Sequence, residues 1–411
     1  MGVLSHFLNP FNAILPSRII KRKKKDAIFI LPEVAVKYKG KTKLRSMSDS
    51  YPIVREILLD MPEKDTCPEA IEWFGKVLDH FTQHIIYEKE FERVISFLPP
   101  GSSFKYKLAF HLNIWATFVI SCCCFMFDDI VDGEEMRRGR PCWHKVNNTG
   151  IEALNDAQTL YILSYKLLDS VVYDPNTYFK MLTMVNESTY LGTLGQCMDL
   201  LSNPGAVRNS GNLINMMPSS GEKEKMDLSN YTLERWETIA RYKAGLILGG
   251  LAVSFVTFVV DFKSDEEEKM IIQEFRSKIA NWGILIQMRD DYQDVYGNID
   301  KTGKLGTDIQ ECKCSWLIAR ALEMANEDQK KALQENYGVK SKESIQKVLE
   351  IFKEIDIEKE YNRVLEVTHE KNKKAIKQFG EKYKKIPTNV IESLLEELQS
   401  FLSLGNPFIR N

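Results

Sequence analysis

Residues Leu108 to Asp132 read LAFHLNIWATFVISCCCFMFDDIVD, an apolar run that ends in three aspartates within five positions. Only His111, Asn113, Thr117 and Ser121 interrupt the run before Asp128. Its length approaches the ~20 residues of a membrane span. A membrane segment does not flow directly into paired carboxylates, so the run is read as a central helix of a large bundle. It is apolar all round because it is buried all round. On a helix, positions i and i+4 share a face, so Asp128 and Asp132 point together while Asp129 lies beside them.

The same pattern returns at Asp290-Asp291-Tyr292-Gln293-Asp294, where Asp290 and Asp294 share a face. A single D-D-x-x-D is often no more than a solvated helix end. Two copies, each closing an apolar stretch and each followed by basic residues, point to chemistry, since carboxylates at the ends of long apolar helices are costly unless they bind something. Opposed across a cavity, these carboxylates would hold divalent cations that bridge to phosphate oxygens, the usual habit of Mg²⁺.

The 411 residues are 44% hydrophobic and carry a net charge of −2. That is ample for a large core, and it excludes the strongly basic surface of a nucleic-acid binder. The eight cysteines form no disulfide or zinc spacing and are read as reduced thiols of an intracellular protein. A second apolar run, Ala244 to Val260, begins just after Lys243 and is taken as another buried helix, so no transmembrane segment is expected. Strand signals are nearly absent, and helical periodicity dominates from about Tyr51 to Leu402. The expected architecture is one all-α domain over residues 46–411, with a surface loop at residues 203–230. A basic extension, residues 1–45, precedes it. Residues Met1 to Lys25 lack Asp and Glu, which permits a mitochondrial transit peptide; otherwise the protein is expected in the cytoplasm.

Cations follow each aspartate cluster. Arg137 and Arg138 come after the first, and arginine's planar fork suits a diphosphate. Lys304 lies in a Gly-x-x-Gly stretch after the second, with Asp308 as a further carboxylate and Lys313 beyond. Lys243 is a third lysine at a helix mouth. Gln196 and Asp199 are polar points on an otherwise apolar helix. The site so assembled is a ring of carboxylates and cations at the mouth of an apolar cavity. A diphosphate fits the rim and a hydrocarbon fits the interior.

These motifs resemble the trans-isoprenyl diphosphate synthase superfamily, and its farnesyl diphosphate synthases in particular, over roughly Ala70 to Leu402. The residues that carry the resemblance are Asp128 to Asp132 with Arg137-Arg138-Gly139 and Pro141-Cys142-Trp143, and Asp290 to Asp294 with Gly303 to Gln310 and Lys313 to Leu317. The resemblance implies a helical bundle around one deep cavity, a homodimer, and about three Mg²⁺ ions. Their ligands would be Asp128, Asp129, Asp132, Asp290, Asp291 and Asp294, joined by Asp199 and Asp308. Lys243, Lys304, Arg137 and Gln287 would serve an allylic prenyl diphosphate.

The family's second substrate, isopentenyl diphosphate, is held by a Gly-Gly-Lys-x-x-Arg segment and a polar residue seven positions before the first cluster. Here the match is Phe74-Gly75-Lys76-Val77-Leu78-Asp79, with an aspartate in place of the arginine, and Ser121 stands at the polar position. Cys123 and Cys124 replace the aromatics that often close the cavity floor; Phe118, Phe125 and Tyr190 are candidates for an aromatic wall. The expectation is therefore a terpene synthase, similar to those of insects, that ionises farnesyl diphosphate to a carbocation and releases a sesquiterpene or its alcohol. The alternative is a working prenyltransferase that condenses isopentenyl diphosphate.

Overall fold

The structure is a computed structural model that describes residues 29–30, 36–60, 67–82, 98, 101–137, 139–172, 175–202, 228–245, 262, 264–297, 306–384, 386, 388 and 392. Most of the N-terminal extension, the loop at 203–227, the apolar run at 246–260, Arg138, Gly303, Lys304 and the C-terminal residues lie outside the described residues.

Helices account for nearly all of what is described, as the apolar periodicity requires. In chain order come β1 (Phe29–Ile30), α1 (Met47–Leu59), α2 (Pro68–Thr82) and α3 (Phe104–Val131). A hairpin of β2 (Met136–Arg137) and β3 (Arg140–Pro141) leads to α4 (Ala153–Ser170), β4 (Val171–Val172) and α5 (Pro175–Ser202). Next are α6 (Leu233–Ala240), a π-helical turn at Arg241–Gly245, and the 32-residue α7 (Asp265–Tyr296). The chain closes with α8 (Trp316–Met324), α9 (Glu327–Asn336), α10 (Lys342–Glu354) and α11 (Ile357–Lys382). The antiparallel pair β1–β4 matches Phe29 with Val172.

Local signals set the helix ends. Ser103 caps α3 by accepting from the Tyr106 N–H, and Ser264 caps α7 by accepting from Glu267. Asp265, Glu266, Glu267 and Glu268 fill the first turn of α7, where the helix dipole favours negative charge. Helix α3 is buried on every side for most of its length, and α4 packs along it. It is long and apolar enough to cross a membrane, but it is the core helix of this bundle. Leu108, Phe110, Leu112 and Trp115 on α3 lose essentially all contact with solvent. Burying such side chains stabilises the fold by about 1.5–3 kcal/mol each.

The core has two lobes. One gathers α1 to α4 with Phe275, Ile279, Trp282 and Leu285 of α7. The other gathers α6 and α8 to α11 with Met288 of the same helix. Helix α7 runs through both, and its aspartates come where the second lobe begins.

Candidate active site

Both aspartate clusters sit at the C-terminal end of a helix. Asp132 is the residue that caps α3, and Asp290 to Asp294 occupy the last two turns of α7. A helix C-terminus carries partial negative charge, so carboxylates there raise an already negative potential. Such a site is unfavourable unless cations meet it, and here they do.

The first cations come from the chain leaving α3. Gly133, at φ +67°, turns the backbone in a conformation that ordinary side chains resist. The Glu134 N–H then bonds the Asp129 carbonyl at 2.9 Å, and the β2–β3 hairpin folds back over the cluster. Arg137 Nε thereby donates to Asp129 Oδ1 at 2.6 Å and Nη2 to Asp128 Oδ2 at 3.1 Å. Its guanidinium also lies 4.9 Å from the centre of the Phe125 ring. Burial would lower the Arg137 pKa, but Asp129, Asp128 and, across the site, Asp290 together raise it. The two clusters therefore act on one guanidinium. Burial pushes Asp129 above the usual carboxylate range, and Arg137 offsets this only in part.

Two lysines complete the ring. Lys243 projects from the π-helical turn, a distortion often found at functional sites. Its ammonium lies 3.1 Å from Asp128 Oδ1 and 2.9 Å from Asp199 Oδ2. Lys313 lies 2.7 Å from Asp132 Oδ1 and 3.5 Å from the same Asp199 oxygen. Charges thus alternate Asp128, Lys243, Asp199, Lys313, Asp132. Burial disfavours every charge in this ring. The lysines overcome it for Asp128 and Asp199, whose pKa values end below normal, while Asp132 ends above. Both ammonium groups are held well above their ordinary value. Helix α5 reaches Lys243 because residue 195 is glycine. A Cβ there would stand 2.3 Å from the Lys243 backbone nitrogen.

In the second cluster the three aspartates divide their work. Asp290 is exposed. Asp294 receives the Thr307 N–H at 3.1 Å and the Asp308 N–H at 2.8 Å, tying the end of α7 to the turn that carries Lys313. That turn needs Gly306, where a Cβ would come within 1.7 Å of the Asp294 carbonyl oxygen. Asp291 is buried and accepts from Trp236 Nε1 at 2.7 Å, the Trp316 N–H at 2.6 Å and Gln287 Nε2 at 2.9 Å. Burial pushes its carboxyl up to about 7 despite these donors.

Several expectations from sequence need correction. Asp291 and Asp129, expected as metal ligands, accept from protein donors here: Asp291 from Trp236, Trp316 and Gln287, and Asp129 from Arg137. Gln287 bonds Asp291 rather than facing a substrate. Asp308 gives its N–H to Asp294, and its carboxylate acts on the Tyr337 phenol. Tyr190, proposed for a cavity wall, is 62% exposed on α5, whereas Phe118 is buried against Trp115 and Phe125 lies under Arg137. Lys76 points to solvent and pairs with Glu72 on its own helix. Asp79, read as a sign of an eroded diphosphate pocket, binds Tyr51 Oη at 2.6 Å and Arg55 Nε at 3.0 Å, so it fastens α2 to α1.

Other predicted residues are brought together. Asp128, Asp132, Asp199, Lys243, Lys313 and Arg137 converge. Both side-chain amide atoms of Gln196 are buried without a protein partner among the described residues. Cys124 is half-buried four residues before Asp128, on the same face, and Cys123 is buried beside it. All eight cysteines are free thiols. Trp236, which holds Asp291, carried no sequence signal, and Trp316 stood in the Lys313 to Leu317 motif without a role of its own. A basic stretch before α1, Gly40-Lys41-Thr42-Lys43-Leu44-Arg45, also went unread. The Leu44 carbonyl is bonded by His111, nearly five turns up α3 from Asp128, about 25 Å along its axis.

The donor set suits Mg²⁺. Among the described residues no three acidic, histidine or cysteine groups converge on one point. Mg²⁺ asks for no such cage; it takes one or two carboxylates and completes its shell with water and substrate phosphate. Asp128 with Asp132, and Asp290 opposite, are oxygen donors of that kind.

Comparison with known proteins agrees with this geometry. The polyprenyl synthetase family matches residues 103–355. Farnesyl pyrophosphate synthase of Saccharomyces cerevisiae is 33% identical over 267 residues, 65% of this chain and 70% of the yeast protein. Bifunctional chrysanthemol synthase of Tanacetum cinerariifolium is 32% identical over 247 residues, 60% of this chain and 57% of the plant protein. The solved farnesyl diphosphate synthase of T. brucei, complexed with risedronate, superposes with a TM-score of 0.71 at 22% identity, covering 88% of this chain and 98% of that one. The T. brucei structure confirms the fold, and the family match with these relatives settles the lineage: the chain belongs to the polyprenyl synthetase family.

Proposed function

We propose that this protein is a Mg²⁺-dependent prenyltransferase of the farnesyl diphosphate synthase kind, which ionises an allylic prenyl diphosphate and condenses the cation with isopentenyl diphosphate. The observation that carries the ionising half is the alternating ring of Asp128, Lys243, Asp199, Lys313 and Asp132 at the end of an apolar helix. Kinship with farnesyl pyrophosphate synthases supports the condensing half.

Mg²⁺, held by Asp128 and Asp132 on one side and Asp290 on the other, would supply positive charge to the leaving diphosphate; the family reading puts the count at about three. Lys243, Lys313 and Arg137, now engaged with carboxylates, would turn their N–H groups to diphosphate oxygens and release those carboxylates as ligands. The allylic C–O bond breaks and its electron pair leaves with the diphosphate. The helix interior shields the cation from water, with the Phe125 face nearby. The double bond of isopentenyl diphosphate then attacks the cation, and loss of a proton completes a longer prenyl diphosphate. Gln196 is assigned to a polar atom of the bound substrates.

A second reading is a terpene synthase acting on farnesyl diphosphate alone. Ser121 favours it, because its hydroxyl donates to the Thr117 carbonyl at 3.0 Å instead of reaching outward. The similarity to a chrysanthemol synthase points the same way. Asp79 does not favour it, since that residue ties α2 to α1 through Tyr51 and Arg55.

One assay separates them: the protein with Mg²⁺ and geranyl or farnesyl diphosphate, with and without isopentenyl diphosphate. Longer prenyl diphosphates made only when isopentenyl diphosphate is present support condensation. A hydrocarbon or alcohol made from farnesyl diphosphate alone supports the second reading.

A homodimer is also proposed. Tyr190, Leu194, Cys197 and Leu201 form an exposed stripe on α5 at helical spacing, with Ile162 exposed on α4.

A further inference from the structure

Lys313 is carried by an unusual piece of backbone. Cys312 before it adopts φ +56°, the left-handed region that non-glycine residues rarely occupy. The surroundings must hold such a residue in place. Two buried phenols do so. Tyr231 Oη lies 2.8 Å from the Cys312 carbonyl oxygen, and Tyr337 Oη donates to the Lys313 carbonyl at 2.7 Å. Consecutive carbonyls are thus held by hydroxyls from two different elements. Tyr231 also lies 2.6 Å from the Ser202 carbonyl, three residues beyond Asp199 on α5. Its single O–H, shared between the Ser202 and Cys312 carbonyls, therefore links the two backbone segments whose side chains meet in the ring. The two phenol rings pack edge to face with centroids 6.2 Å apart. Burial pushes both phenols upward, so they remain protonated donors.

Packing alone does not call for these hydroxyls, because phenylalanine would fill the same space. What the hydroxyl adds is a fixed carbonyl. A lysine side chain has four flexible bonds, so its ammonium is placed well only if its backbone is.

We propose that Tyr231 and Tyr337 are positioning residues that pin the two peptides flanking the Lys313 Cα, so that the Lys313 ammonium is held between Asp132 and Asp199, ready for the substrate diphosphate. The inference rests on the reading of Lys313 as a diphosphate cation, and the test separates the two.

The test uses the full chain with Tyr337→Phe, Tyr231→Phe, Lys313→Met, and each tyrosine variant combined with Lys313→Met. Three readouts are taken: binding of inorganic diphosphate with Mg²⁺ by calorimetry, KM and kcat for an allylic diphosphate, and melting temperature. Each tyrosine variant is expected to weaken diphosphate binding and raise KM about tenfold, with kcat changed less than about twofold. In the Lys313→Met background the same substitutions should change binding by less than about twofold, because their effect passes through the lysine. A tyrosine variant that only lowers the melting temperature overturns the proposal. So does an undiminished effect on binding in the Lys313→Met background. If Lys313→Met itself binds diphosphate as the parent does, the role given to Lys313 falls and the positioning role falls with it.

Discussion

The middle and outer residues of each D-D-x-x-D differ in kind although the motif writes them alike. Asp291 is enclosed by Trp236, Trp316 and Gln287, whereas Asp290 is exposed. The account therefore separates two mutations. Asp290→Asn should cut kcat at least about a hundredfold with little change in melting temperature, because it removes charge stabilisation alone. Asp291→Ala should instead cost about 3 kcal/mol in denaturant unfolding, because three buried donors lose their acceptor. Helical spacing made the pairing of Asp128 with Asp132 legible in the sequence. It could not show that Asp291 is enclosed, since Trp236 and the Trp316 N–H reach it from 55 and 25 residues away. His111 is another residue whose state follows from burial. Its Nε2 donates to the Leu44 carbonyl, so Nδ1 is the acceptor facing Ser50 Oγ at 2.9 Å. Burial lowers its pKa to about 4. An imidazole whose folded pKa is depressed destabilises the fold as pH falls, from 6.5 down through 4. Unfolding free energy should drop by about 3 kcal/mol across that window, and His111→Gln should remove most of the drop.

At the scale of elements, helix ends do more of the work than helix interiors. The last turns of α3 and α7 gather acid where the dipole is already negative, and the hairpin, the π-helical turn and the Lys313 turn each deliver a cation there. The apolar run before Asp128 announced α3 plainly. The π-helical turn left no mark, because a change in helix winding is decided by packing against α5 and α7. The match drawn at Gly75 failed for a related reason. Lys76 follows the face of α2 into solvent, and Asp79 belongs to the seam between α1 and α2. Asp79→Arg would set two guanidinium groups together there, so it should destabilise the fold without adding condensation activity. Farther from the site, Glu360 clamps α11 to α8 by accepting from Arg320 Nε at 3.1 Å, and from Arg363 Nε at 2.7 Å. Hydrogen bonds from Arg363 and then Arg320, against the opposing effect of burial, lower its pKa to about 2. A carboxylate with a depressed folded pKa gives its stability above the unfolded value and loses it as pH falls toward 2. The melting temperature should decline over that interval, and Glu360→Gln should flatten the decline.

The whole molecule is a two-lobed helical core with α7 shared between the lobes, and the site lies where they meet. The all-α class and the central role of α3 were legible because long apolar runs without alternation leave few other folds. The exposed apolar stripe on α5 was not, since Tyr190, Leu194 and Leu201 read from sequence like core. If the proposed homodimer forms through this stripe, Tyr190→Arg combined with Leu194→Arg should convert it to a monomer in analytical ultracentrifugation. Unchanged sedimentation would place the self-association surface elsewhere. The central claim is that two acidic helix ends, kept in check by Lys243, Lys313 and Arg137, bind diphosphate through Mg²⁺. Calorimetry with inorganic diphosphate tests it most directly, in Mg²⁺ and in a chelator, on the parent protein and on Asp128→Asn and Asp290→Asn. The account predicts tight binding in Mg²⁺ that is lost with the chelator and greatly weakened in both variants. Equal binding with and without Mg²⁺, or binding indifferent to both substitutions, would contradict it.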